Sequence, residues 1–422
     1  MSGPLHGIKV LEFTEIIAGP LGGMFLSDMG ADVIKVEPPW GDPWRMWAQF
    51  APGESRQHLA LNRGKRSIAL DLSKSEAREI VYKLVPEMDV VIVNYRPDVP
   101  EKLGVDYEAL SKINPGLVYC ENTAFGTAGP DKHRGGYDII IQAMSGFMAS
   151  EGKLLDGIPQ PLMSTAIADC ATAISIAWGV TAALFDRQRT GLGQKVQTTL
   201  LGTAMALLTQ RFIRVQSYDA DAQTQFLEEI DALRSAGADF PDLKLSHDTL
   251  LPSFQLTIYY RAYRTSDGVI VVACLSDPLR KKLLEVLDLK DIRFQPCYDP
   301  NSSETNTFNI GLIERAEKTF AEKSSPEWLE ILEQAGVPAG PIKFVEEMLD
   351  DPQIEANRMA VDLRHTSVGP LRMVGPLLQM DRTPLEAKCA SPGLGQHTDQ
   401  VLLSLGYSDT DIKHLRENGS IK

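Results

Sequence analysis

Short apolar runs alternate with helical segments over the first 125 residues, and this alternation is the strongest constraint on the fold. Runs such as IKVLEF (8–13) and DVVIVNY (89–95) are apolar almost throughout, as strands covered on both faces are. Segments with helical spacing, such as KSEAREIVYKLVPEM (74–88), separate them. Parallel neighbours need a crossover connection, so the order strand–helix–strand predicts a parallel sheet. We therefore predict an open, Rossmann-like α/β sheet of the doubly wound type.

The segments that follow the predicted strands are candidates for a binding site. In open parallel sheets, ligands bind beyond the carboxyl ends of the strands. These ends carry residues 14–20, 37–39, 94–97 and 123–130. The glycine-rich turn AGPLGG (18–23) lies in the first of them and lacks the spacing of a dinucleotide fingerprint. Its glycines serve either a ligand or the packing of helix against strand.

A change of composition near residue 217 divides the chain of 422 residues. A polar, acidic stretch, read as a surface helix and linker, leads to a hairpin at 255–275 and then to several helices. We predict a large domain over 1–215, completed by a C-terminal return segment at 345–422. A smaller α+β domain is predicted over 225–340.

Charge and cysteine content exclude several classes of protein. The net charge of −14 argues against nucleic acid and anionic membranes as partners. No apolar run approaches the ~20 residues of a membrane span, and the N-terminus lacks the pattern of a secretory signal. The five cysteines, Cys297 among them, are far apart and odd in number, which predicts free thiols and a cytoplasmic location. Seven scattered histidines without HExxH predict no metal site.

A local basic run interrupts this acidic chain. The stretch LNRGKRSIALD (61–71) holds Arg63, Lys65 and Arg66 just before a predicted strand. Surface charge is the usual role of such residues. In so acidic a chain, a basic cluster beside a sheet edge favours a phosphate contact.

One carboxylate, Asp169, stands at the start of a strongly apolar helical segment, in MSTAIADCATA (163–173). It could cap that helix, since a carboxylate accepts hydrogen bonds from the free N–H groups of a first turn. It could also be a nucleophile, because a half-buried carboxylate in a pocket of small residues can attack a carbonyl carbon. Upstream, Asp138 is predicted to cap its own helix, with Gln142 turned toward a polar pocket.

Taken together, these stretches resemble the class III, or CaiB/BaiF-type, coenzyme A transferases. That family includes formyl-CoA transferase, carnitine CoA-transferase and α-methylacyl-CoA racemase. The similar segments run in order through nearly the whole chain: LHGIKVLEFTEIIAGP (5–20), GADVIKVEPPWGDPWR (30–45), LNRGKRSIALDL (61–72), VVIVNYRPDVPEKLGVDY (90–107), FGTAGP to AMSG (125–146), IADCATA (167–173), RTGLGQKV (189–196), AGVPAGPI (335–342) and LGQHTDQVLLSLGYSDTDIKHL (394–415).

The resemblance implies an acyl-CoA:carboxylate CoA-transferase with Asp169 as its nucleophile. The enzyme would form an aspartyl anhydride and then an aspartyl-CoA thioester, without a metal or a tightly bound cofactor. Its substrates would be acyl-CoA and a small carboxylic acid, and N–H groups of helix starts and glycine loops would stabilise the oxyanions. Family members form interlocked homodimers. Positions matching the family's CoA contacts are Ile16, Ile17, Ala18, Pro38, Leu70, Leu72, Lys74, Asn94, Tyr95, Arg96, Lys102, Leu103, Tyr137 and Asp138.

Several positions depart from the family pattern. The racemase branch has a histidine as second base, where this chain has Tyr137, and His133 is four residues away. An unperturbed tyrosine is a weak base at neutral pH, so transferase is favoured over racemase. A catalytically silent CoA-binding protein is a third alternative. Pro38 and Ser73 stand where formyl-CoA transferase has basic residues, with Lys74 covering for Ser73. The stretch LKLSHDTLLPSFQL (243–256) lacks that enzyme's glycine run, which predicts a different lid or acceptor.

Overall fold

The computed structural model describes residues 3–251, 257–296, 298 and 303–422. The chain forms two compact units, one containing residues up to Leu245 together with Pro352–Lys422, the other Ser246–Asp351. The helix Gln216–Ser235 belongs to the first unit, so the division falls later than the 225 expected from composition. Cys297 and the end of the glycine-poor stretch at 252–256 lie outside the described residues.

A six-stranded parallel sheet organises the first unit, which confirms the predicted α/β fold. Its strand order is β3-β2-β1-β4-β5-β8. This is the strand order of a Rossmann sheet, in which the sequential order of the strands reverses between β1 and β4. A short antiparallel pair, β6–β7, forms a separate sheet. The strands are β1 (Lys9–Phe13), β2 (Asp32–Glu37), β3 (Arg66–Ala69), β4 (Val90–Val93), β5 (Val118–Thr123), β6 (Leu154–Leu155), β7 (Ile158–Pro159) and β8 (Lys195–Thr199).

Helices of the first unit precede, separate and follow these strands. Before the second unit they are α1 (Ala18–Asp28), α2 (Pro43–Met46), α3 (Arg56–Leu61), α4 (Ser75–Leu84), α5 (Val99–Leu103), α6 (Tyr107–Ile113), α7 (Asp138–Met144), α8 (Phe147–Glu151), α9 (Ile167–Thr190), α10 (Leu200–Leu208) and α11 (Gln216–Ser235). Helix α12 (Phe240–Leu250) lies at the boundary. After the second unit come α17 (Pro352–Ala356), α18 (Thr398–Ser404) and α19 (Asp409–Glu417). Short 3₁₀ turns occupy Val85–Glu87 and Thr209–Phe212.

Both faces of the sheet are covered, as its apolar strands require. Successive side chains of a strand point to opposite faces. Val10, Val90 and Val118 share one buried cluster with Ile176 of α9, while Leu11 and Val91 belong to a second cluster on the other face. The second cluster includes side chains from α18, α19 and the chain end at Ile421. The C-terminal segment therefore completes the core of the first unit.

Helix α9 is long and apolar enough to cross a membrane by length and composition, contrary to our expectation that no run approaches that length. Half of its most apolar window is buried in the protein. Ile176 and Val180 are fully buried, and the helix ends at Gly191, which adopts the left-handed conformation common at helix ends. In this fold α9 serves as a core helix.

The second unit packs helices against a three-stranded antiparallel sheet, β11-β10-β9. In its core Tyr263 stacks on Phe320, Trp328 packs against Phe320 at a tilt, and the Trp328 indole N–H donates to the Phe320 carbonyl at 2.8 Å. The predicted hairpin is present, joined by a turn at residues 265–268. The elements are β9 (Tyr260–Arg264), β10 (Val269–Ala273), α13 (Asp277–Leu287), a 3₁₀ turn (Ile292–Phe294), α14 (Ser303–Phe320), α15 (Ser325–Gln334), β11 (Ala339–Pro341) and α16 (Val345–Met348).

Three local predictions differ from the structure. The helical spacing of QTTLLGTAMALLTQRFIRV (197–215) predicts a helix throughout, but the segment begins as strand β8, and α10 ends at Leu208, where Thr209 has a positive φ of 41°. The acidic linker before the second unit contains α12. An antiparallel hairpin, β12 (Ala360–His365) and β13 (Gly369–Val374), follows α17 and was not expected.

Candidate active site

A cavity of about 800 Å³ opens beyond the carboxyl ends of the strands in the first unit, at the place predicted from the sheet topology. This volume is within the range of ~300–1,000 Å³ typical of ligand pockets. Its walls come from the segments after β1 to β5, the loop before α7, and the start of α9. The lining residues include Glu15, Ile16, Ile17, Pro38, Trp40, Leu70, Asp71, Leu72, Ser73, Asn94, Tyr95, Arg96, Leu103, Asn122, Thr123, Arg134, Gly135, Gly136, Tyr137 and Asp169.

Most of the residues singled out from the sequence come together here. Asp169 lines the cavity, and so do ten of the positions that match CoA contacts. These are Ile16, Ile17, Pro38, Leu70, Leu72, Asn94, Tyr95, Arg96, Leu103 and Tyr137. Their convergence from five separate segments is a consequence of parallel strands, whose carboxyl ends meet at one edge.

The remaining candidates, Ala18, Lys74, Lys102 and Asp138, are not among the lining residues. Lys74 donates to the backbone carbonyl of Asn418, so its ammonium group is held by the chain end. Lys102 pairs with Asp98 at 2.6 Å. Ala18 is buried in an apolar cluster. The cavity therefore gives no support for direct ligand contacts by these side chains.

Asp138 caps the helix that carries Asp169 and does not cap its own helix. Its Oδ2 accepts hydrogen bonds from the backbone N–H groups of Ala168 at 2.7 Å and Asp169 at 3.2 Å. Helix α7 begins at Asp138 without a side-chain cap. The capping interpretation of Asp169 is also wrong, because α9 starts at Ile167 and Asp169 lies within its first turn. Asp138, 31 residues before Asp169, thus takes the capping role that Asp169 could have had.

Gln142 fixes this arrangement. Its Nε2 donates to Asp138 Oδ1 and to the Leu162 carbonyl, while its Oε1 accepts from the Leu162 N–H at 2.8 Å. The predicted polar pocket around Gln142 is therefore the junction of α7, the loop before α9, and Asp138. These bonds hold the first turn of α9, and Asp169 with it, in one position.

Asp169 is a buried acid with an acid for a neighbour. Burial, and then the negative charge of Asp138, raise its pKa to about 7. The side chain is only 8% exposed, yet it lines the cavity. At neutral pH both its neutral and its ionised forms are populated. When ionised, this carboxylate is more basic than an ordinary aspartate, which suits a nucleophile.

The N–H groups of Ala168 and Asp169 are occupied by Asp138, so they do not supply the predicted oxyanion contacts. The glycine loop before α7 remains available. Gly135 and Gly136 line the cavity. A Cβ added to Gly136 would lie 2.9 Å from Ala124 Cβ, so this position requires glycine for close packing.

The turn after β1 is strained where it enters the cavity. Ile16, a β-branched residue, has a φ of +72°, a conformation such residues rarely adopt. Asn94 brackets the neighbouring backbone, donating from Nδ2 to the Glu15 carbonyl at 2.8 Å and accepting from the Glu15 N–H at 2.9 Å. Asp42 accepts from the Ile16 N–H at 3.3 Å. Strain held in this way is typical of ligand-binding segments.

The basic run at 63–66 is not a phosphate site, and that prediction is wrong. Arg63 is buried against Asp28, with its Nη2 2.6 Å from Asp28 Oδ2. Lys65 is fully buried, with its Nζ 2.8 Å from Glu12 Oε2. Each cation faces a carboxylate inside the fold, which satisfies its charge.

The third cation of the run, Arg66, pairs with Asp32 through two hydrogen bonds. The glycine-rich turn serves packing as well. A Cβ added to Gly23 would lie 1.8 Å from Glu12 Oε2, and one added to Gly22 would lie 2.8 Å from Ile176 Cγ2. Glycines there let α1 approach the sheet and α9.

Another buried ion pair, Glu37–Arg45, supports the wall of the cavity that contains Pro38 and Trp40. Glu37 binds Arg45 in bidentate fashion, at 2.7 Å to Nε and 2.9 Å to Nη2. Burial alone would raise the pKa of Glu37, but the hydrogen bonds and charge of Arg45, with Lys35, hold it well below its ordinary range. This ion pair therefore holds the turn after β2 in place.

Two arginines are the cationic side chains of the cavity wall. Arg96 was expected from the sequence and Arg134 was not. Their side chains stay half open, at 64% and 52% exposure, and Arg96 Cδ would lie 3.2 Å from a Cβ on Gly135. The two cations thus flank one glycine. Arg134 stood within the glycine loop in the sequence, and its position next to Gly135 was the available signal.

Other lining residues also escaped the sequence analysis. Trp40 lies just beyond the candidate segment 37–39 and is 71% exposed, whereas Glu15 falls within the candidate segment 14–20 without having been named. Asn122 belongs to a strand that reads as continuous core. Tyr137 lines the cavity, whereas His133 is exposed and outside the lining. In the described ranges, no three His, Cys, Asp or Glu residues lie close enough to hold a metal ion.

Comparisons with known proteins point to one family. The family model described as CoA-transferase family III matches residues 5–398. Succinate–glutarate CoA-transferase of Agrobacterium fabrum is 35% identical over 412 residues, covering 95% of this chain and 96% of that protein. Succinyl-CoA:glutarate CoA-transferase of Mus musculus is 32% identical over 423 residues, covering 99% and 90%.

Solved structures lead to the same family. The crystal structure of a CaiB/BaiF family protein from Brucella suis matches with a TM-score of 0.73 and 32% identity, over 96% of this chain and 100% of that one. The resemblance stated from the sequence motifs is thereby confirmed. The chain belongs to CoA-transferase family III and is a CoA-transferase.

Proposed function

We propose that this protein moves CoA from an acyl-CoA to a carboxylic acid through covalent intermediates on Asp169. The observation that carries the proposal is the state of that side chain. It is buried, lines the cavity, and has a pKa raised to about 7 by burial and Asp138. Such a carboxylate has lost much of its solvation but keeps access to a ligand. The CoA contacts at the ten matching cavity positions belong to the same proposal.

In the first half-reaction, the Asp169 carboxylate attacks the thioester carbonyl carbon. The carbonyl electron pair moves onto oxygen, returns, and expels CoA thiolate, leaving a mixed anhydride between the acyl group and Asp169. The thiolate then attacks the Asp169 carbonyl carbon and releases the donor acid as a carboxylate. Asp169 now carries CoA as a thioester.

The second half-reaction reverses these steps with the acceptor. The acceptor carboxylate attacks the carbonyl carbon of the aspartyl thioester and expels CoA thiolate. The product is a mixed anhydride between the acceptor and Asp169. Thiolate attacks the acceptor carbonyl, gives the new acyl-CoA, and regenerates the Asp169 carboxylate. An activated acyl bond is retained at every step, so the exchange needs no external energy source.

Four- and five-carbon dicarboxylic acids are the acids that we propose first. Support comes from the names of the relatives, which refer to succinate or succinyl-CoA and glutarate. CoA itself carries several phosphate charges, and Arg96 and Arg134 are the cations that the cavity offers to them. Burial of these charges in a protein of net charge −14 requires such local partners.

We further propose that the protein is a homodimer in the cytoplasm. Ile174, Trp178 and Phe185 occur at helical spacing along α9 and are 55%, 75% and 64% exposed. An apolar stripe of this kind is usually covered by a partner surface. A second copy is the partner expected of this family. Light scattering across a concentration series should give twice the chain mass, and Trp178→Glu should shift the protein toward a single chain.

Intact-protein mass after brief incubation with succinyl-CoA, glutaryl-CoA and acetyl-CoA tests the chemistry. An aspartyl thioester adds CoA less one water, on the peptide containing residue 169. Cys170 lies in the same peptide, and a disulfide there would instead add CoA less two hydrogens. Cys170→Ser should therefore retain the thioester adduct, whereas Asp169→Asn should lose it together with turnover.

The adduct should also react with hydroxylamine, which converts a thioester to a hydroxamate. Turnover by Asp169→Asn at the wild-type rate would refute the mechanism. Incorporation of solvent deuterium at the α-carbon without CoA transfer would support the racemase alternative instead. Binding of CoA with neither activity would support a silent binding protein.

A further inference from the structure

Transfer through Asp169 builds negative charge on a carbonyl oxygen, and a hydrogen-bond donor must meet it. Donors placed in advance for such an oxyanion commonly contribute a factor of about 10²–10³ in kcat. The N–H groups nearest Asp169, those of Ala168 and Asp169 itself, already donate to Asp138. Another group in the cavity has to serve.

Asn122 offers an amide group that is held on one side and open on the other. It is the fifth residue of β5, only 4% exposed, and lines the cavity. Its Oδ1 accepts a hydrogen bond from Thr198 Oγ1 at 3.1 Å, which fixes the plane of the amide. Within the described parts of the chain, its Nδ2 has no hydrogen-bond partner, and it is not among the fully enclosed polar atoms.

The strand geometry directs this side chain toward the face that α9 covers. Side chains alternate along a strand, so Asn122 shares its face with Val118 and Cys120. Those two residues pack in the cluster that contains Ile176 of α9. Just beyond the strand, Ala124 packs in a cluster with Ala168, the neighbour of Asp169. Asn122 therefore lies on the sheet face and at the sheet edge where α9 begins.

The other asparagine of the cavity differs from Asn122 in this respect. Asn94 uses its amide on both sides to hold the backbone of Glu15. That interaction assigns it to the strained turn at Ile16. Among the residues that the structure describes, none gives the NH₂ group of Asn122 such a task, although the side chain is buried. A buried amide that keeps its donor open toward a cavity is suited to a ligand atom.

We propose that Asn122 donates a hydrogen bond from Nδ2 to the carbonyl oxygen of the acyl-CoA thioester as Asp169 attacks the carbonyl carbon. The inference rests on the proposed function. No proton is transferred: the carbonyl electron pair moves onto oxygen, the amide N–H stabilises it, and the pair returns when thiolate leaves. Thr198 acts as a positioning residue through the Asn122 carbonyl.

Single-turnover formation of the aspartyl-CoA adduct tests the proposal in three variants. Asn122→Ala removes the donor and should slow adduct formation about 10²–10³-fold. Asn122→Asp keeps size and the contact with Thr198 but replaces the donor with a carboxylate, so it should be slowed at least as much. Thr198→Val should cost about threefold to tenfold. Affinity for free CoA should stay within threefold of wild type in each.

The outcomes separate the two proposals. If the wild type forms the adduct and both Asn122 variants form it within threefold of the wild-type rate, the role of Asn122 is overturned. The role of Asp169 is then unaffected. Equal losses of rate and of CoA affinity would also overturn the role of Asn122, because they indicate a general disturbance of the cavity. Absence of adduct in wild type would overturn the proposed function itself. Thermal unfolding of Asn122→Asp, whose shape matches asparagine, checks that the fold is intact.

Discussion

Glu37 and Asp169 are both buried carboxylates near the carboxyl edge of the same sheet, yet their surroundings shift their pKa values in opposite directions. Glu37 binds Arg45 through two hydrogen bonds and accepts a third from Ser67 Oγ at 2.7 Å. Its pKa falls far below the ordinary range despite burial. Asp169 has Asp138 beside it, and burial and that charge raise its pKa to about 7.

The difference shows how burial alone leaves the role of an acid undecided. Both acids lose solvation, which disfavours the charged form. Arg45 compensates Glu37 fully, so its charge is fixed and serves the fold. Burial and the Asp138 charge both oppose ionisation of Asp169, so its ionisation costs free energy that a bond to carbon can relieve. The neighbouring charge therefore separates the structural acid from the proposed nucleophile.

The largest effect on stability is expected at the structural acid. Glu37→Gln removes the bidentate partner of buried Arg45 and leaves Glu54, 3.6 Å away, as its remaining ion pair, so it should lower the free energy of unfolding by about 3–5 kcal/mol. Urea unfolding followed by circular dichroism measures it. The matched control is Glu87→Gln, which breaks the exposed pair with Lys9 and should cost at most about 1 kcal/mol. Equal losses in the two variants would mean that burial does not strengthen the Glu37 contact.

The same change at the proposed nucleophile should act in the opposite direction. Ionised Asp169 destabilises the folded protein, so the wild type loses stability as pH rises from the unfolded pKa of 3.8 through about 7. Asp169→Asn escapes this loss and should be more stable at pH 8, by an amount on the order of a few kcal/mol. Thermal unfolding at pH 5, 6.5 and 8 should show the gain growing with pH. A constant difference would contradict the raised pKa.

Reactivity should follow the same ionisation. Only the carboxylate attacks, so the rate of adduct formation should fall about tenfold per pH unit below 7 and level off above it. Stopped reactions across pH 5.5–9 give the profile. Asp138→Asn removes a neighbouring charge while its carbonyl can still cap α9, so the midpoint should move to lower pH. A midpoint that stays in place would assign the raised pKa to burial alone.

The smallest effect compares cations rather than acids. Arg134→Met should weaken CoA binding about fivefold to tenfold, and Arg134→Lys should recover part of it, since a half-exposed charge contributes about 1 kcal/mol. Arg66→Met, which removes a cation that does not line the cavity, should leave CoA affinity unchanged. Calorimetric titration with CoA and dephospho-CoA shows which phosphate Arg134 meets. Equal weakening in Arg66→Met would restore the basic run as a phosphate site.

The sheet was predictable because its signal is local. Continuous apolar strands such as DVVIVNY and the helices between them fix a parallel α/β fold without any long-range information. The hairpin at residues 360–374 was missed, since its strands mix apolar and polar side chains and lack the continuous apolar run of the sheet strands. Helix α12 was missed for a similar reason: its sequence is mixed in polarity, and contacts in the folded chain decide its form.

The site was predictable where its residues follow the ends of strands. It was not predictable where ion pairs or hydrogen bonds with distant residues determine the role of a side chain. Asp169 and Tyr95 stand in recognisable motifs. The run Arg63–Lys65 misled, because Asp28 and Glu12, their partners, are distant in the sequence. Asn122 gave no signal, because a polar residue in an apolar strand is informative only when its partners are known. Charges act through space, so their roles follow from the fold.

The last residues of the chain close the first unit, and this has a consequence for how the protein is made. The Asp71 N–H donates to the Ser420 carbonyl, and Ile421 packs in the core beside the first strands. At ~5–20 residues per second, roughly 15–60 s separate the synthesis of β5 from that of the chain end. Throughout that interval one face of the sheet lacks its final cover. Apolar side chains on that face therefore stay open to non-native contacts until residues 398–421 have been made and can pack there.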